Sequence, residues 1–370
     1  MRSAALYPDL DTPCLAIDLD VVAANIAEMA EVARRCGVRL RPHAKTHKMP
    51  SLAKLQLAAG AAGITCAKLG EAEVMADAGC TDILIAYPLW GEVKLRRLRA
   101  LRERARVRVS LDSVEVAEGL GRLGRESGSP IEVLVEVDTG HHRLGRPPGR
   151  PTADLVRLIA GIPGVEVIGL LTHGGHSYRS HSPEELEAVA RREGTDLVET
   201  AELCAREGIP LGEISVGSTP TARHVAGVAG VTEVRPGTYI FNDAAMIRLG
   251  VATEQTVAAR VISTVVARPE LDRIVVDAGT KCLTSDGVGT PDWVVAAGRP
   301  NVHFEFLTEE HGVARLGPSG APADDLAIGD RLAILPSHVC PVVNLFDSAY
   351  GVRGGEVTEI LAIAGRGKVR

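Results

Sequence analysis

Two histidines, two lysines and an arginine crowd into one stretch of the sequence, Leu40-Arg-Pro-His-Ala-Lys-Thr-His-Lys48. If the stretch is an extended strand, alternation places Arg41, His43 and Lys45 on one face. Neighbouring positive charge and burial both favour the neutral amine of a lysine, which is the form that makes a Schiff base. The stretch therefore predicts a reactive Lys45 or, as the simpler alternative, a solvated basic corner.

A second candidate site is the pair His338 and Cys340, at the end of a strand-like run. Residues i and i+2 of a strand share a face, so both side chains could reach one ion. Imidazole plus thiolate favours Zn²⁺, and two protein ligands leave the remaining positions to water and substrate. The alternative interpretation is a buried cysteine beside an unrelated histidine.

Further histidines could assist such chemistry. So could two turns that combine a glycine with hydroxyl-bearing residues, which we call glycine-hydroxyl corners. His173 and His176 end a β-branched run, and an imidazole is well suited to move protons near neutral pH. The corners could offer N–H and O–H donors to a phosphate. They are Gly217-Ser218-Thr219 and Gly237-Thr238-Tyr239. A structural histidine and ordinary turns are the alternatives.

The elements that must position these residues are βα repeats. From about Asp20, stretches of helical period alternate with short β-branched runs that end in polar or glycine-rich corners. Candidate strands cover 39–45, 63–67, 83–87, 107–112, 132–138, 165–172, 213–217 and 232–240. This regular spacing predicts an α/β fold with a (β/α)8 TIM-like barrel, whose strands end at the catalytic face.

After about Asn242 the sequence changes character. Strand-like runs follow one another without long helices, at 257–267, 273–277, 303–307, 313–316, 331–335 and 357–364. We therefore expect a barrel over 20–245 and a C-terminal β domain over 246–370 that carries His338 and Cys340. Residues 1–19 contain one more strand-like run, 14–18, and could join either domain.

Charge and composition point to small-molecule chemistry. The net charge is −6 without a basic block, so neither nucleic acid nor an anionic membrane is an expected partner. No apolar run approaches the roughly 20 residues of a membrane-spanning helix. The first residues lack the features of a signal peptide, which predicts a cytoplasmic protein. The seven cysteines are scattered and form no C-x-x-C pair, so a disulfide framework is not expected.

The Lys45 stretch resembles the cofactor-lysine motif of the D-threonine aldolase and D-serine dehydratase family, metal-dependent enzymes with an alanine-racemase-like fold. The resemblance covers nearly the whole chain. Further matching motifs, in the same order, are Asp11-Thr-Pro13, Ile83-Leu-Ile-Ala-Tyr-Pro88, Glu136-Val-Asp138 with Arg143 and Gly145, Val216-Gly-Ser-Thr-Pro220, Arg235-Pro-Gly-Thr-Tyr239, Asp277-Ala-Gly279, Glu310-His-Gly312 and His338-Val-Cys340.

The resemblance implies pyridoxal 5'-phosphate bound by Lys45, with its phosphate at the two glycine-hydroxyl corners and Arg143 at its phenolic oxygen. It also implies a divalent metal, Zn, Mn or Mg, on His338 and Cys340. His173 is included among the expected cofactor contacts. Related folds are head-to-tail dimers, so a homodimer that takes a small D-amino acid is expected.

Two reactions fit a D-amino acid with a β-hydroxyl group. Removal of the hydroxyl proton leads to retro-aldol cleavage into glycine and an aldehyde, whereas removal of the Cα proton by Lys45 leads to a 2-oxo acid and ammonia. His176 resembles the base of the aldolases, while Cys340 resembles the ligand of the D-serine dehydratases. We expect aldolase-type cleavage, with D-serine or D-threo-3-hydroxyaspartate dehydration as the alternative. A metal-free racemase or a cofactor-binding protein without catalysis would have no use for the ligand pair.

Overall fold

The computed structural model describes residues 6–287, 293–317 and 326–370, which fall into two compact units. The barrel unit comprises Ile26–Lys45, Pro50–Tyr239 and Gly367–Arg370. The β unit comprises the described residues up to Asn25, Thr46–Met49 and those of Ile240–Arg366. None of the helices in the described ranges is long and apolar enough to cross a bilayer.

The described residues form strands and helices in the following order. The strands are β1 Cys14–Asp18, β2 Arg39–Leu40, β3 Ile64–Cys66, β4 Asp82–Ile85, β5 Arg106–Leu111, β6 Ile131–Glu136, β7 Val165–Leu171, β8 Glu213–Val216, β9 Glu233–Val234, β10 Ala259–Glu270, β11 Arg273–Val276, β12 Val295–Ala296, β13 Val302–Leu307, β14 Gly312–Leu316, β15 Arg331–Leu335, β16 Ser348–Arg353 and β17 Glu356–Ala362. The helices are α1 Leu19–Cys36, α2 Pro50–Ala58, α3 Leu69–Asp77, α4 Glu92–Arg102, α5 Val114–Ser127, α6 Arg150–Ala160, α7 Pro183–Arg206, α8 Ala222–Val225, α9 Ala244–Arg248, α10 Thr280–Leu283 and α11 Val339–Leu345.

The barrel unit is built on one parallel sheet in the order β2-β9-β8-β7-β6-β5-β4-β3. The sheet closes because Thr65 donates its N–H to the Pro42 carbonyl and accepts the N–H of Ala44, both at 2.8 Å. Helices α2 to α8 connect successive strands, as parallel pairing requires. Each of the eight strands lies within, or within one residue of, a predicted run, so the prediction of a TIM-like barrel is confirmed.

Charged side chains fill the barrel interior at the end where β4 and β9 begin, a place where branched apolar residues are usual. Arg41 donates to Glu233 at 2.9 Å and to Asp82 at 2.5 Å, and Arg108 donates to Asp82 at 2.7 Å. Arg41 is 1% exposed and Glu233 is fully buried. The period-two pairing continues beyond β2, because the N–H groups of Arg41 and His43 donate to the carbonyls of Val234 and Pro236, both at 3.0 Å. Arg41 and His43 therefore follow the predicted alternation, although the Arg41 guanidinium is held by Glu233 and Asp82 at the end where β4 and β9 begin.

The β unit contains a nine-stranded sheet in the order β11-β14-β13-β12-β15-β10-β1-β16-β17. Every run predicted as a strand after Asn242 forms one, which confirms the C-terminal β domain. Strand β1 pairs antiparallel with β10 and parallel with β16, so this N-terminal strand joins the β unit. Cys14 and Ala16 pack there against Ile262, Ala333 and Val352.

Strand β16 was not predicted, because it has a glycine and lacks a β-branched run. Its backbone is paired on both sides, by β1 and by β17. Gly351 has neighbours so close that an added Cβ would lie 2.8 Å from Glu359 and 2.9 Å from Leu19. Pairing with strands distant in sequence, rather than local composition, makes this segment a strand.

Candidate functional site

A cavity of about 350 Å³ opens where the barrel strands end, a size typical of small-molecule sites. The cations Lys45, Lys68, Arg143 and Arg235 line it together with the carboxylate of Glu136. Of the residues predicted to bind the cofactor, those that line the cavity are Lys45, Arg143, His173, Gly217, Ser218, Thr219, Gly237 and Thr238. The residues that line the cavity are therefore far apart in sequence. Together they give the cavity wall a strongly cationic character.

Lys45 lies in a turn that follows β2, and His43 precedes it in an isolated bridge with Thr65. The Lys45 N–H donates to Nδ1 of His43 at 3.4 Å. Burial, then the positive charges of Lys45 and Arg235, hold the pKa of His43 well below its usual range. A neutral His43 that accepts at Nδ1 carries its proton on Nε2, so it presents a donor beside Lys45.

Arg143 and His173 lie on the side of the cavity formed after β6 and β7. Arg143 Nη2 is 3.4 Å from Oε1 of Glu136, and burial raises the pKa of that carboxyl although Arg143 lowers it. Burial and the charges of Lys45 and Arg143 hold the pKa of His173 well below its usual range. His173 is therefore neutral at physiological pH and able to accept a proton.

Thr219 joins the two glycine-hydroxyl corners. Its Oγ1 accepts the N–H of Gly237 at 3.2 Å and the N–H of Tyr239 at 3.1 Å. A hydroxyl has two lone pairs and one proton, so the proton remains for another partner. Gly217 has a φ of 104°, a conformation that favours glycine. The two corners thus form one donor-bearing wall.

Tyr239 takes part in this wall through its backbone alone. Its side chain is 1% exposed, and its hydroxyl accepts a hydrogen bond from Gln56 Nε2 at 2.9 Å. The ring is not among the residues that line the cavity. In this geometry, therefore, the Tyr239 side chain is not placed to contact a cofactor in the cavity.

Arg235 lines the cavity, although the sequence indicated it only as part of the motif Arg235-Pro-Gly-Thr-Tyr239 and not as a candidate site residue. Its guanidinium donates to Ser215 Oγ and to the Thr172 carbonyl, both at 2.5 Å. Ser215 Oγ in turn donates to Glu233 at 2.6 Å. A hydrogen-bonded chain therefore links a cavity cation to the charged interior of the barrel, through Glu233 to Arg41.

His176 lies in a short 3-10 helix, Gly175–Arg179, and is not among the lining residues. Its Nε2 is 3.4 Å from the point where a Cβ on Gly140 would lie. Its Nδ1 is buried and makes no hydrogen bond within the described residues. Tyr178, from the same short helix, does line the cavity. This loop therefore places its tyrosine, and not His176, at the cavity wall.

His338 and Cys340 do not lie on a strand, as the alternation argument supposed. Strand β15 ends at Leu335, His338 is the N-cap of α11, and Cys340 is in the first turn of that helix. The two side chains interact at this helix start. The pair is thus brought together by a helix start instead of by strand alternation.

The surroundings of the pair are anionic. His338 Nδ1 is 2.8 Å from Asp286 Oδ2, and Thr46 Oγ1 is 3.1 Å from Cys340 Sγ. Although burial lowers it, the pKa of His338 is raised to about 10 by Cys340, Asp243 and Asp286. These acidic groups around His338 and Cys340 favour the binding of a cation beside the pair. Within the described part of the chain, no group of three or more His, Cys, Asp or Glu side chains forms a metal site, so two protein ligands are what is available.

Sequence reasoning also missed Lys68 and Tyr87 at the cavity wall. Lys68 Nζ lies 3.4 Å from the centroid of the Tyr87 ring, a cation–π contact. Each residue lies two positions beyond the end of a strand, Lys68 after β3 and Tyr87 after β4. Their position after barrel strands was the signal that could have found them.

Two protein families match consecutive parts of the chain. "Alanine racemase, N-terminal domain" matches residues 17–245, and "Putative serine dehydratase domain" matches residues 258–352. D-threo-3-hydroxyaspartate dehydratase of Delftia sp. strain HT23 is 38% identical over 90% of this chain and 91% of its own length. D-threonine aldolase of Arthrobacter sp. is 36% identical over 97% of this chain and 93% of its own.

Solved structures agree with these matches. D-threonine aldolase from Filomicrobium marinum superposes with a TM-score of 0.91 at 36% identity, over 100% of both chains. Solved structures of D-threo-3-hydroxyaspartate dehydratase include a histidine-to-alanine variant and, two positions later, a cysteine-to-alanine variant in metal-free form. The metal-free variant has a TM-score of 0.88 at 35% identity, over 97% of this chain and 99% of its own. The resemblance drawn from the sequence motifs is confirmed, and the chain belongs to the alanine racemase N-terminal domain family, in the group that includes D-threonine aldolases and D-3-hydroxyaspartate dehydratases.

Proposed function

We propose that this protein is a pyridoxal-phosphate- and divalent-metal-dependent lyase that acts on D-β-hydroxy-α-amino acids. The observation that carries the proposal is the cavity at the strand ends, where Lys45 lies among cations and neutral histidines. The relatives are aldolases and dehydratases, which are both lyases, so the predicted enzyme class is confirmed. The cytoplasmic location and the homodimer stay predictions.

The residues present fit pyridoxal phosphate. Lys45 would hold its aldehyde carbon, and the wall formed by Gly217, Ser218, Thr219, Gly237 and Thr238 would receive its phosphate. The remaining proton of Thr219 Oγ1 and a glycine-bearing backbone suit an anion. Arg143 would meet the phenolic oxygen. The group, when bound, supplies an electron sink for the bonds at Cα of the substrate.

The metal proposal is supported by donor chemistry and by spacing. His338 offers an imidazole whose Nδ1 faces Asp286, which leaves Nε2 for an ion, as in carboxylate-histidine-metal sites. The His-x-Cys spacing is that of the two positions replaced in the D-threo-3-hydroxyaspartate dehydratase variants. A thiolate and an imidazole accept Zn²⁺ or Mn²⁺, and such an ion would supply Lewis-acid chemistry for a hydroxyl group.

Between the two reactions, the geometry supports dehydration better. Its base would be Lys45, which lines the cavity and would remove the proton from Cα. His176, on which the expectation of retro-aldol cleavage rests, is not a lining residue. The proposed cysteine ligand is also compatible with the dehydratase variant whose structure is metal-free after replacement of a cysteine by alanine.

Retro-aldol cleavage is the second candidate, because the cavity holds a neutral imidazole that could accept a hydroxyl proton and a phenol that could hydrogen-bond the same hydroxyl. His173 is neutral and lines the cavity, and Tyr178 lines it as well. A D-threonine aldolase structure superposes over the full length of the chain. In this case His176 would not contact the substrate hydroxyl. It would influence that hydroxyl through the side chains that lie between them.

Analysis of the products of D-threonine decides between the candidates. Dehydration gives 2-oxobutyrate and ammonia, and the same enzyme should convert D-serine to pyruvate. Retro-aldol cleavage gives glycine and acetaldehyde. Chelation of the metal should stop either reaction and leave the colour of the bound cofactor, and divalent metal should restore turnover. Absence of turnover of D-threonine, D-serine and D-threo-3-hydroxyaspartate alike by metal-loaded holoenzyme would contradict the proposed function.

A further inference from the structure

The side chain of Thr46 reaches the candidate metal ligand Cys340 across 294 positions of sequence. Thr46 Oγ1 lies 3.1 Å from Cys340 Sγ, and either atom could donate when the thiol is protonated. The threonine is fully buried. Because a buried hydroxyl without a partner is costly, this contact accounts for a polar group in the interior of the β unit.

The segment that carries Thr46 is fixed within the β unit. Gly365 donates its N–H to the Lys48 carbonyl at 2.9 Å, and Lys48 Nζ donates back to the Gly365 carbonyl at 3.4 Å. Within the segment, the Met49 N–H donates to Nδ1 of His47 at 3.0 Å. The hydroxyl of Thr46 is thus presented to Cys340 from a backbone that is tied down next to it.

Metal binding removes the ambiguity about the donor. A cysteine that ligates a metal is a thiolate without a proton, so it can only accept a hydrogen bond. Thr46 must then donate. A hydrogen bond to the sulfur restricts the direction of its lone pairs and withdraws part of its charge, as outer partners of metal ligands do.

We propose that Thr46 is a positioning residue of the metal centre, whose hydroxyl donates to the Cys340 thiolate and sets its orientation and donor strength. The inference rests on the proposed metal site. It assigns to Thr46 the part that Asp286 has beside His338, so that each ligand has one outer hydrogen-bond partner. Thr46 directly follows Lys45 in the sequence, yet its role concerns the metal and not the cofactor.

The test measures metal binding directly, in cofactor-loaded protein stripped of metal. Zn²⁺ is titrated by calorimetry and Co²⁺ by the sulfur-to-cobalt absorption band, in the wild type, Thr46→Val and Thr46→Ser. Valine keeps the shape and removes the hydroxyl, whereas serine keeps the hydroxyl. We expect Thr46→Val to weaken Zn²⁺ binding by about tenfold to a hundredfold, the usual effect of losing an outer partner. Its cobalt band should move to longer wavelength, because the thiolate becomes a stronger donor.

Thr46→Ser should keep the wild-type affinity and band position. Thr46→Ala provides the same comparison should the valine variant fail to fold, as judged by its cofactor spectrum. Wild-type affinity and an unshifted cobalt band in folded Thr46→Val or Thr46→Ala would overturn the role of Thr46. A wild type without a sulfur-to-cobalt band, or a Cys340→Ala variant with undiminished metal affinity, would instead overturn the proposed metal site itself.

Discussion

At the scale of single residues, the cavity sets the charge states of the groups around Lys45. Burial and nearby cations hold the pKa of His43 and of His173 well below the usual range, so both are neutral. Lys45 lines the same cavity, together with Lys68, Arg143 and Arg235. The proposed role of Lys45 in holding the cofactor rests on this arrangement.

Reduction with borohydride should fix the cofactor onto Lys45. The purified protein is expected to be yellow and to lose that absorbance on reduction. Peptide mapping then checks the position of the label. Lys45→Ala should remove both colour and activity, and Lys54→Arg, a change at an exposed lysine of α2, should alter neither. Label on any other lysine would contradict the assignment.

Replacement of His173 by glutamine should change how stability depends on pH. The unfolded chain takes up a proton on this histidine near pH 6.5, whereas the folded protein, with its lowered pKa, does not. The stability that the wild type has above about pH 6.5 is therefore lost progressively as the pH falls below that value. Urea denaturation of holoenzyme should show a smaller loss for His173→Gln than for the wild type.

The exposed His181 provides the matched control for that measurement. His181→Gln should leave the pH dependence of the wild type unchanged. If the free energy of unfolding depended on pH with the same slope in the wild type and in His173→Gln, the neutral state of His173 would make no contribution to that dependence.

At the scale of elements, the loops after β8 and β9 act as one wall because a single hydroxyl ties them together. Thr219, after β8, accepts two N–H groups from the segment after β9. Loops after parallel strands diverge unless something holds them, so this contact fixes the distance between the two corners. Cofactor binding should therefore depend on a hydroxyl that need not touch the cofactor at all.

Thr219→Val should weaken pyridoxal-phosphate binding, because it leaves the N–H groups of Gly237 and Tyr239 buried without an acceptor. An unpaired buried donor costs about 1–3 kcal/mol, which corresponds to a loss of affinity of about fivefold to 150-fold where the cost falls on the cofactor-bound state. Thr219→Ser keeps the acceptor and should bind as the wild type does. Titration of the apoenzyme followed by absorbance measures both, and tight binding by the valine variant would rule out the bridge.

At the scale of the whole molecule, the barrel is organised around buried charge. Arg41 and Arg108 share Asp82, and Arg41 also pairs with Glu233. Ser215 connects Glu233 to the cavity residue Arg235. Removing one member of such a network leaves a partner charged and uncompensated in the interior, which costs more than the pair itself contributes.

Arg41→Met should lower the free energy of unfolding by about 3–5 kcal/mol, the usual cost of an unpaired buried charge. Urea denaturation measures it. Arg34→Met is the control, since Arg34 pairs with Glu31 on the surface, with side chains 74% and 51% exposed, and should leave the free energy of unfolding nearly unchanged. Equal effects of the two substitutions would show that the interior network contributes no more than a surface ion pair.

The sequence by itself determined the class of fold and the place of the chemistry. The alternation of helical and β-branched periods is local, so all eight barrel strands could be read from it. The crowding of cations around Lys45 and the order of the motifs were local as well, and they indicated the family. Parallel strands of a barrel end at one face, so candidate residues at strand ends could be expected to meet there.

Only the tertiary structure decided which side chains face the cavity. His176 and Tyr178 are two residues apart in one short helix, and nothing in their spacing shows that the tyrosine lines the cavity. Arg235 joins the site because Ser215 and Thr172 orient its guanidinium. Hydrogen-bond partners of this kind come from other strands, so they leave no periodic trace in the sequence.

The same holds for elements whose partners are distant in the chain. Strand β1 belongs to the β unit because β10 and β16 pair with it, and β16 is a strand only through its pairing with β1 and β17. Cys340 was a candidate ligand in the sequence, but its contact with Thr46 spans 294 positions. Local pattern determines which segments can be helices and strands, whereas long-range pairing and packing determine which side chains meet.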